Sequence, residues 1–187
     1  MKRMVIWLVG GVSMLGALPF GPAGAEAGQL CATTRLTQAF ETQSICVSSA
    51  RQPRGGTVYD IRSLTDWDDA TAWCVDGDGI GESIIVRLED AAPPENFWIR
   101  NGYAKSQQTF RNHARIRTME LVAFSYGLEQ PQRRAEIVLG DNATEQTIAL
   151  PWRVADPRYF ELRITSVYPG QTDEDLCVTG FSVDYGM

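Results

Sequence analysis

Four cysteines, a single histidine and a few adjacent carboxylates carry most of the chemistry available to this chain of 187 residues. The cysteines stand at 31, 46, 74 and 177, an even number that suits an oxidising compartment and admits three pairings. We favour Cys31–Cys46, which closes a local loop worth about 3 kcal/mol by chain entropy. Its companion, Cys74–Cys177, ties an early strand to the last one and contributes about 4.7 kcal/mol on the same account. A zinc site fits poorly, because no C-x₂₋₄-C pair exists and His113 has no second histidine beside it. Nucleophilic catalysis needs an activated nucleophile next to a base, and the chain has no G-x-S-x-G elbow. Asp68/Asp69 and Glu174/Asp175 could act on a glycosidic bond, but adjacent acids in a turn point apart more often than they converge. The chain reads as no enzyme.

The elements that must position these residues start after an address label. Met1-Lys2-Arg3 is a short positive segment, and the run from Met4 to Phe20 is apolar apart from Ser13. Ala23-Gly24-Ala25 and Ala25-Glu26-Ala27 then give overlapping A-x-A sites, the layout of a secretory signal peptide over residues 1–27. Pro19 and Pro22 break the run before the roughly 20 residues a span requires. Leu30 before Cys31 argues against a lipid anchor. The expectation is a secreted or periplasmic protein with no membrane span. Net charge is -6, and without residues 1–27 it stays near -7. An acidic chain lacking a basic cluster excludes nucleic acid as the partner. About 160 residues remain, enough for one domain that buries about 70% of its unfolded surface.

Residues 28–56 read as an extension, with helical character in Leu36 to Glu41 and the Cys31–Cys46 staple. Arg51-Gln52-Pro53-Arg54-Gly55-Gly56 is a loop, since Pro and adjacent glycines disfavour regular structure. From Thr57 onward the pattern alternates. Ile84, Val86 and Leu88 share one strand face; Ala135, Ile137 and Leu139 repeat the period, as do Phe160, Leu162 and Ile164, then Phe181, Val183 and Tyr185. Asp76-Gly77-Asp78-Gly79, Pro93-Pro94, Asn101-Gly102, Gly140-Asp141-Asn142 and Pro169-Gly170 punctuate these runs as turns. About eight strands and no helix longer than the N-terminal one give an all-β fold, an antiparallel jelly-roll sandwich over residues 57–187.

Several motifs fall in a telling order. Asp66-Trp67-Asp68-Asp69-Ala70-Thr71-Ala72-Trp73-Cys74 comes first, followed by Gly79-Ile80-Gly81-Glu82 and Ile99-Arg100-Asn101-Gly102-Tyr103-Ala104-Lys105. Phe110-Arg111-Asn112-His113-Ala114-Arg115-Ile116 is next. Leu162-Arg163-Ile164-Thr165-Ser166-Val167-Tyr168-Pro169-Gly170 and Asp175-Leu176-Cys177 complete the set. Together they resemble the NADase-type glycan-binding domain, a discoidin-like, galactose-binding-like jelly roll, over about residues 57–186.

The resemblance implies a non-catalytic module whose partner is a glycan or surface carbohydrate, held at the loop end of the sandwich. Tyr103 would stack on a sugar ring, while Lys105, Asn112 and Arg115 donate hydrogen bonds; the competing reading has the asparagines satisfy backbone groups. Trp98 is the leading aromatic platform, with Trp67 and Trp152 as further candidates. Trp73, beside Cys74, belongs in the core. In related jelly rolls the loop before the first core strand wraps a structural Ca²⁺, and Asp66, Asp69 and Thr71 suit that role. The alternative is a charged turn with capping aspartates. Where the family pattern places a glutamate after the last cysteine, this chain has Gly180. A protein-interaction or structural module is the alternative function. Mass mapping of the non-reduced protein is expected to recover Cys74 and Cys177 in one linked peptide pair; free thiols there would overturn the pairing.

Overall fold

The computed structural model describes residues 30–35, 42–89, 93–125, 131–153 and 157–186. The expected signal peptide and the helical stretch Leu36 to Glu41 lie outside them. Ten strands and two short helices are present among the described residues. In chain order they are β1 (Leu30–Arg35), β2 (Thr42–Val47), α1 (Ile61–Thr65), β3 (Trp73–Val75), β4 (Ser83–Glu89) and β5 (Asn96–Asn101). After these come α2 (Gln107–Asn112), β6 (Arg115–Ser125), β7 (Arg133–Val138), β8 (Glu145–Ala149), β9 (Pro157–Tyr168) and β10 (Leu176–Asp184). Six strands form one sheet, in the order β1-β2-β4-β9-β6-β7, and four form the other, β3-β10-β5-β8. Every pair of neighbouring strands is antiparallel.

Period-two alternation decides which face each strand turns inward. Ile84, Val86 and Leu88 of β4 and Phe160, Leu162 and Ile164 of β9 are buried from one side, Phe97, Ile99 and Phe181 from the other. Phe97 joins the layers: it stacks on Phe181 at 5.6 Å and meets Phe160 edge-on at 5.5 Å across the sandwich. Such aromatic pairs contribute about 0.5–1.5 kcal/mol beyond the area they bury. Trp73 is fully buried, as its neighbourhood suggests, and donates its indole N–H to the Ser49 carbonyl at 2.8 Å.

The segment before Thr57 is more than an extension. Its residues 30–35 and 42–47 pair as β1 and β2, and Ile45 and Val47 enter the main core. Both disulfides join residues directly opposite in register, Cys31 with Cys46 and Cys74 with Cys177. The second is wholly buried with Ala72 and Tyr103, and Tyr59 packs on them. Among the described residues no helix is long and apolar enough to cross a membrane.

At one end of the sandwich the two sheets are pinned by Asn101, which is completely buried. Its side-chain amide donates to the Ile116 carbonyl at 2.7 Å and accepts the Ile116 N–H at 3.0 Å. That exchange links β5 of the small sheet to β6 of the large one. The chain between them, residues 102–114, is therefore held at both ends.

Candidate functional site

Three connections meet at this end: residues 102–114, residues 139–144 and residues 169–175. In the first, Ser106 caps α2 by accepting the Thr109 N–H, while the Thr109 hydroxyl accepts the Ser106 N–H in return. Gly102 precedes it with φ at 78°, a conformation that disfavours a side chain. A Cβ there would also come within 2.7 Å of both Phe110 and Arg115. The close approach lets Phe110 slide beneath the guanidinium of Arg115, 5.0 Å from its ring centre.

Arg115, only 7% exposed, then ties the connections together. Its Nε and Nη2 donate to the two oxygens of Asp141 at 2.9 and 2.8 Å, a bidentate charge-assisted pair. Its Nη1 donates to the carbonyls of His113 and Pro169 at 3.0 and 3.1 Å. The result is a cleft of about 760 Å³ over Phe110, edged by Ser106, Gln107, Arg111, Asn142, Thr144 and Gln171. Such a surface offers amides, hydroxyls, a guanidinium and the outer lone pairs of Asp141, which suits a polyhydroxylated ligand. On the far side of residues 169–175, buried Arg51 pairs with Asp175 and reaches Asp76 at 3.5 Å.

The residues singled out by sequence do not form one constellation. Arg115 lines the cleft, and exposed Lys105 sits between its lining residues Ala104 and Ser106. Asn112 works through its backbone, its carbonyl accepting the N–H groups of Thr172 and Asp173 at 3.4 and 2.9 Å. Tyr103 is the correction: it is 5% exposed, its ring packs on the Cys74–Cys177 cluster, and its hydroxyl donates to the Ala70 carbonyl at 2.9 Å. No sugar could stack there. Trp98 is 36% exposed but lies along β5 on the outer face of the small sheet, opposite Ser182 and Thr147. Trp152 packs against the core. Phe110 and Asp141 are site residues that the sequence pattern does not single out: nearly buried Arg115 needs a counter-charge, but Gly140-Asp141-Asn142 carries only the signature of a turn.

Residues 37–184 match the family described as the NAD glycohydrolase translocation F5/8 type C domain. The chain belongs to that family. The match begins inside the segment that sequence reading set apart as an extension. No curated protein matches the sequence. Among solved structures, the family 32 carbohydrate-binding module of C. perfringens NanJ, in complex with galactose, is similar with a TM-score of 0.50 and 17% identity, covering 75% of this chain and 92% of that one. CpGH89CBM32-5 from Clostridium perfringens, in complex with GalNAc-β-1,3-galactose, gives 0.51 and 14%, over 76% and 94% of the two chains. Arabinofuranosyltransferase AftD from Mycobacteria gives 0.54 and 15%, covering 89% of this chain but 12% of that much longer one. At these identities the likeness is one of fold.

In this F5/8 type C domain the loop expected to hold Ca²⁺ is differently occupied. The Thr71 hydroxyl lies 2.9 Å from both oxygens of Asp66, and Asp66 also accepts the Asp68 N–H at 3.0 Å. Asp69 is paired with the guanidinium of Arg100. That guanidinium lies 5.4 Å over the ring of Trp67, which in turn packs on Gly180, where a Cβ would come within 3.2 Å of the indole. An internal cation and an aromatic ring thus stand where a carboxylate-rich shell would be needed. Ca²⁺ takes six to eight oxygens. Among the described residues no three acidic, histidine or cysteine side chains converge to hold a metal. The charged-turn reading accounts for the contacts these residues make, with Asp69 held by Arg100 and Asp66 by Thr71.

Two outcomes follow. Adding Ca²⁺ or EDTA to the purified protein should leave its melting temperature unchanged, whereas Arg100→Ala should lower it; a Ca²⁺-dependent rise would overturn the assignment. Burial pushes the Tyr103 hydroxyl above the ordinary tyrosine range, with Tyr59 and Asp68 adding repulsion. The folded state therefore keeps a proton that the unfolded chain releases near pH 10, so stability should fall as pH climbs above about 10. Urea unfolding at pH 9 to 11 checks this, and Tyr103→Phe should flatten the slope.

Proposed function

We propose that this F5/8 type C domain is a non-catalytic, exported binding module that takes a glycan in the loop-end cleft. The carrying observation is the Arg115–Asp141 pair, which holds a charged acceptor rigidly at the edge of a polar cleft with an aromatic floor. Preorganised acceptors cost little ordering on binding, and an amide-rich lining can read several hydroxyls at once. That two structures of the same fold were solved with galactose or a galactose-containing disaccharide supports this reading.

A binding role is supported by what the cleft contains. Its one carboxylate, Asp141, is neutralised by Arg115, so no acid–base pair spans it. All four cysteines are bridged, and the sole histidine is set between the Thr109 carbonyl at 2.9 Å and Asp173 at 3.5 Å. The two disulfides support an oxidising, extracytoplasmic location.

A glycan-array screen of the purified protein should give reproducible hits. Gln107→Ala and Gln171→Ala, at the rim of the cleft, should each weaken them about tenfold, the order expected for one lost hydrogen bond to a polar ligand. Trp98→Ala should leave these hits unchanged. Loss of binding in Trp98→Ala alone would move the site to the face of the small sheet, and a blank array on folded protein would favour a protein partner.

A further inference from the structure

The charge around the cleft has a sign opposite to that of the molecule. The chain carries a net -6, and six of its arginines away from the cleft are spent on acidic partners: Arg51 on Asp175, Arg62 on Asp60, Arg100 on Asp69, Arg134 on Glu120, Arg153 on Glu95 and Arg163 on Glu161. Among the residues that line the cleft, cations outnumber acids. Arg115 and Asp141 cancel, and Asp141 is the only acid among the lining residues. Arg111 stands on the exposed side of α2; its carbonyl accepts the Gln171 N–H at 2.9 Å, while its guanidinium donates to the amide oxygen of Gln107 at 3.3 Å. Lys105, the one lysine beyond residue 2, projects from the same connection. Neither has an acidic partner among the described residues. Two uncompensated cations flank a cleft whose remaining groups are neutral hydrogen-bonding ones.

The geometry points to an anionic glycan as the ligand of this cleft: a sugar bearing a carboxylate or sulfate, its charged group met by Arg111 and Lys105 and its hydroxyls by Asp141 and the amides. This rests on the glycan reading and narrows it. A planar guanidinium and a mobile ammonium on one rim suit an oxyanion whose position differs between sugar types. The chain's net negative charge disfavours a polyanion in general, while the two rim cations would favour one here.

The test uses matched pairs. The full purified protein is titrated with a galacturonate oligosaccharide and its methyl ester, which removes the charge at nearly constant shape. A sulfated galactan oligosaccharide and its desulfated counterpart form the second arm, separating the two sources of anion. The expected result is binding of at least one charged member about tenfold tighter than its neutral twin, the order of one charge-assisted contact. That margin should shrink as salt rises from 0.05 to 1 M, where the screening length falls to about 3 Å. Arg111→Gln and Lys105→Gln should each remove part of it, while Arg133→Gln, at the opposite end of the sandwich, should not. Equal binding of charged and neutral members would overturn the proposal and leave the glycan reading standing. Binding of none of the four, by protein with an intact melting transition, would count against both.

Discussion

The exchange of hydrogen bonds between the Asn101 side chain and the backbone of Ile116 is the contact on which the loop end depends. Here one side-chain amide satisfies both backbone groups of a residue in the opposite sheet. An unpaired buried amide costs about 1–3 kcal/mol, so neither strand end can drift without exposing a penalty. Because Ile116 is fixed, the adjacent Arg115 leaves the backbone from a fixed point. Because Asn101 is fixed, Gly102 turns the chain at a fixed point as well. The cleft inherits its shape from these two origins.

From there the stitching is done by arginines. Arg115 and Arg51 are both nearly buried, and they grip residues 169–175 from opposite sides, one through the Pro169 carbonyl and the other through Asp175. Each also reaches a second connection, at Asp141 and Asp76 respectively. Guanidinium groups suit this work because five fixed donors can serve several acceptors without rearranging. The loops of this end are therefore scaffolding as much as binding surface, which is why Tyr103 and Asn112, marked by sequence for a ligand, make contacts that serve the fold.

How much was legible follows from the range of the interactions involved. Strand faces at Ile84, Val86 and Leu88 or Phe160, Leu162 and Ile164 are written in period two and could be read locally. So could the alternation that sends Trp98 away from Phe97 and Ile99. The disulfide pairs were legible too, because few arrangements compete. β1 and β2 were not, since Thr42-Gln43-Ser44 opens a short polar strand whose partner β4 lies far along the chain. Tyr103 was misread for a different reason: an aromatic after Asn-Gly looks like a rim residue, and only the positive φ at Gly102 shows the chain turning it inward. Asp141 lies 26 residues from Arg115, beyond the reach of any local pattern.

The edge of the larger sheet carries a consequence of its own. β1 precedes the family-matched residues 37–184, yet it covers the hydrogen-bonding flank of β2 and is clasped there by Cys31–Cys46. Uncovered, β2 would present a row of open amides and carbonyls next to a hydrophobic core, the kind of surface on which separate chains polymerise. The clasp thus moves the sheet's open edge outward onto β1 and keeps it there, so that the strand carrying Ile45 and Val47 into the core is paired on both flanks.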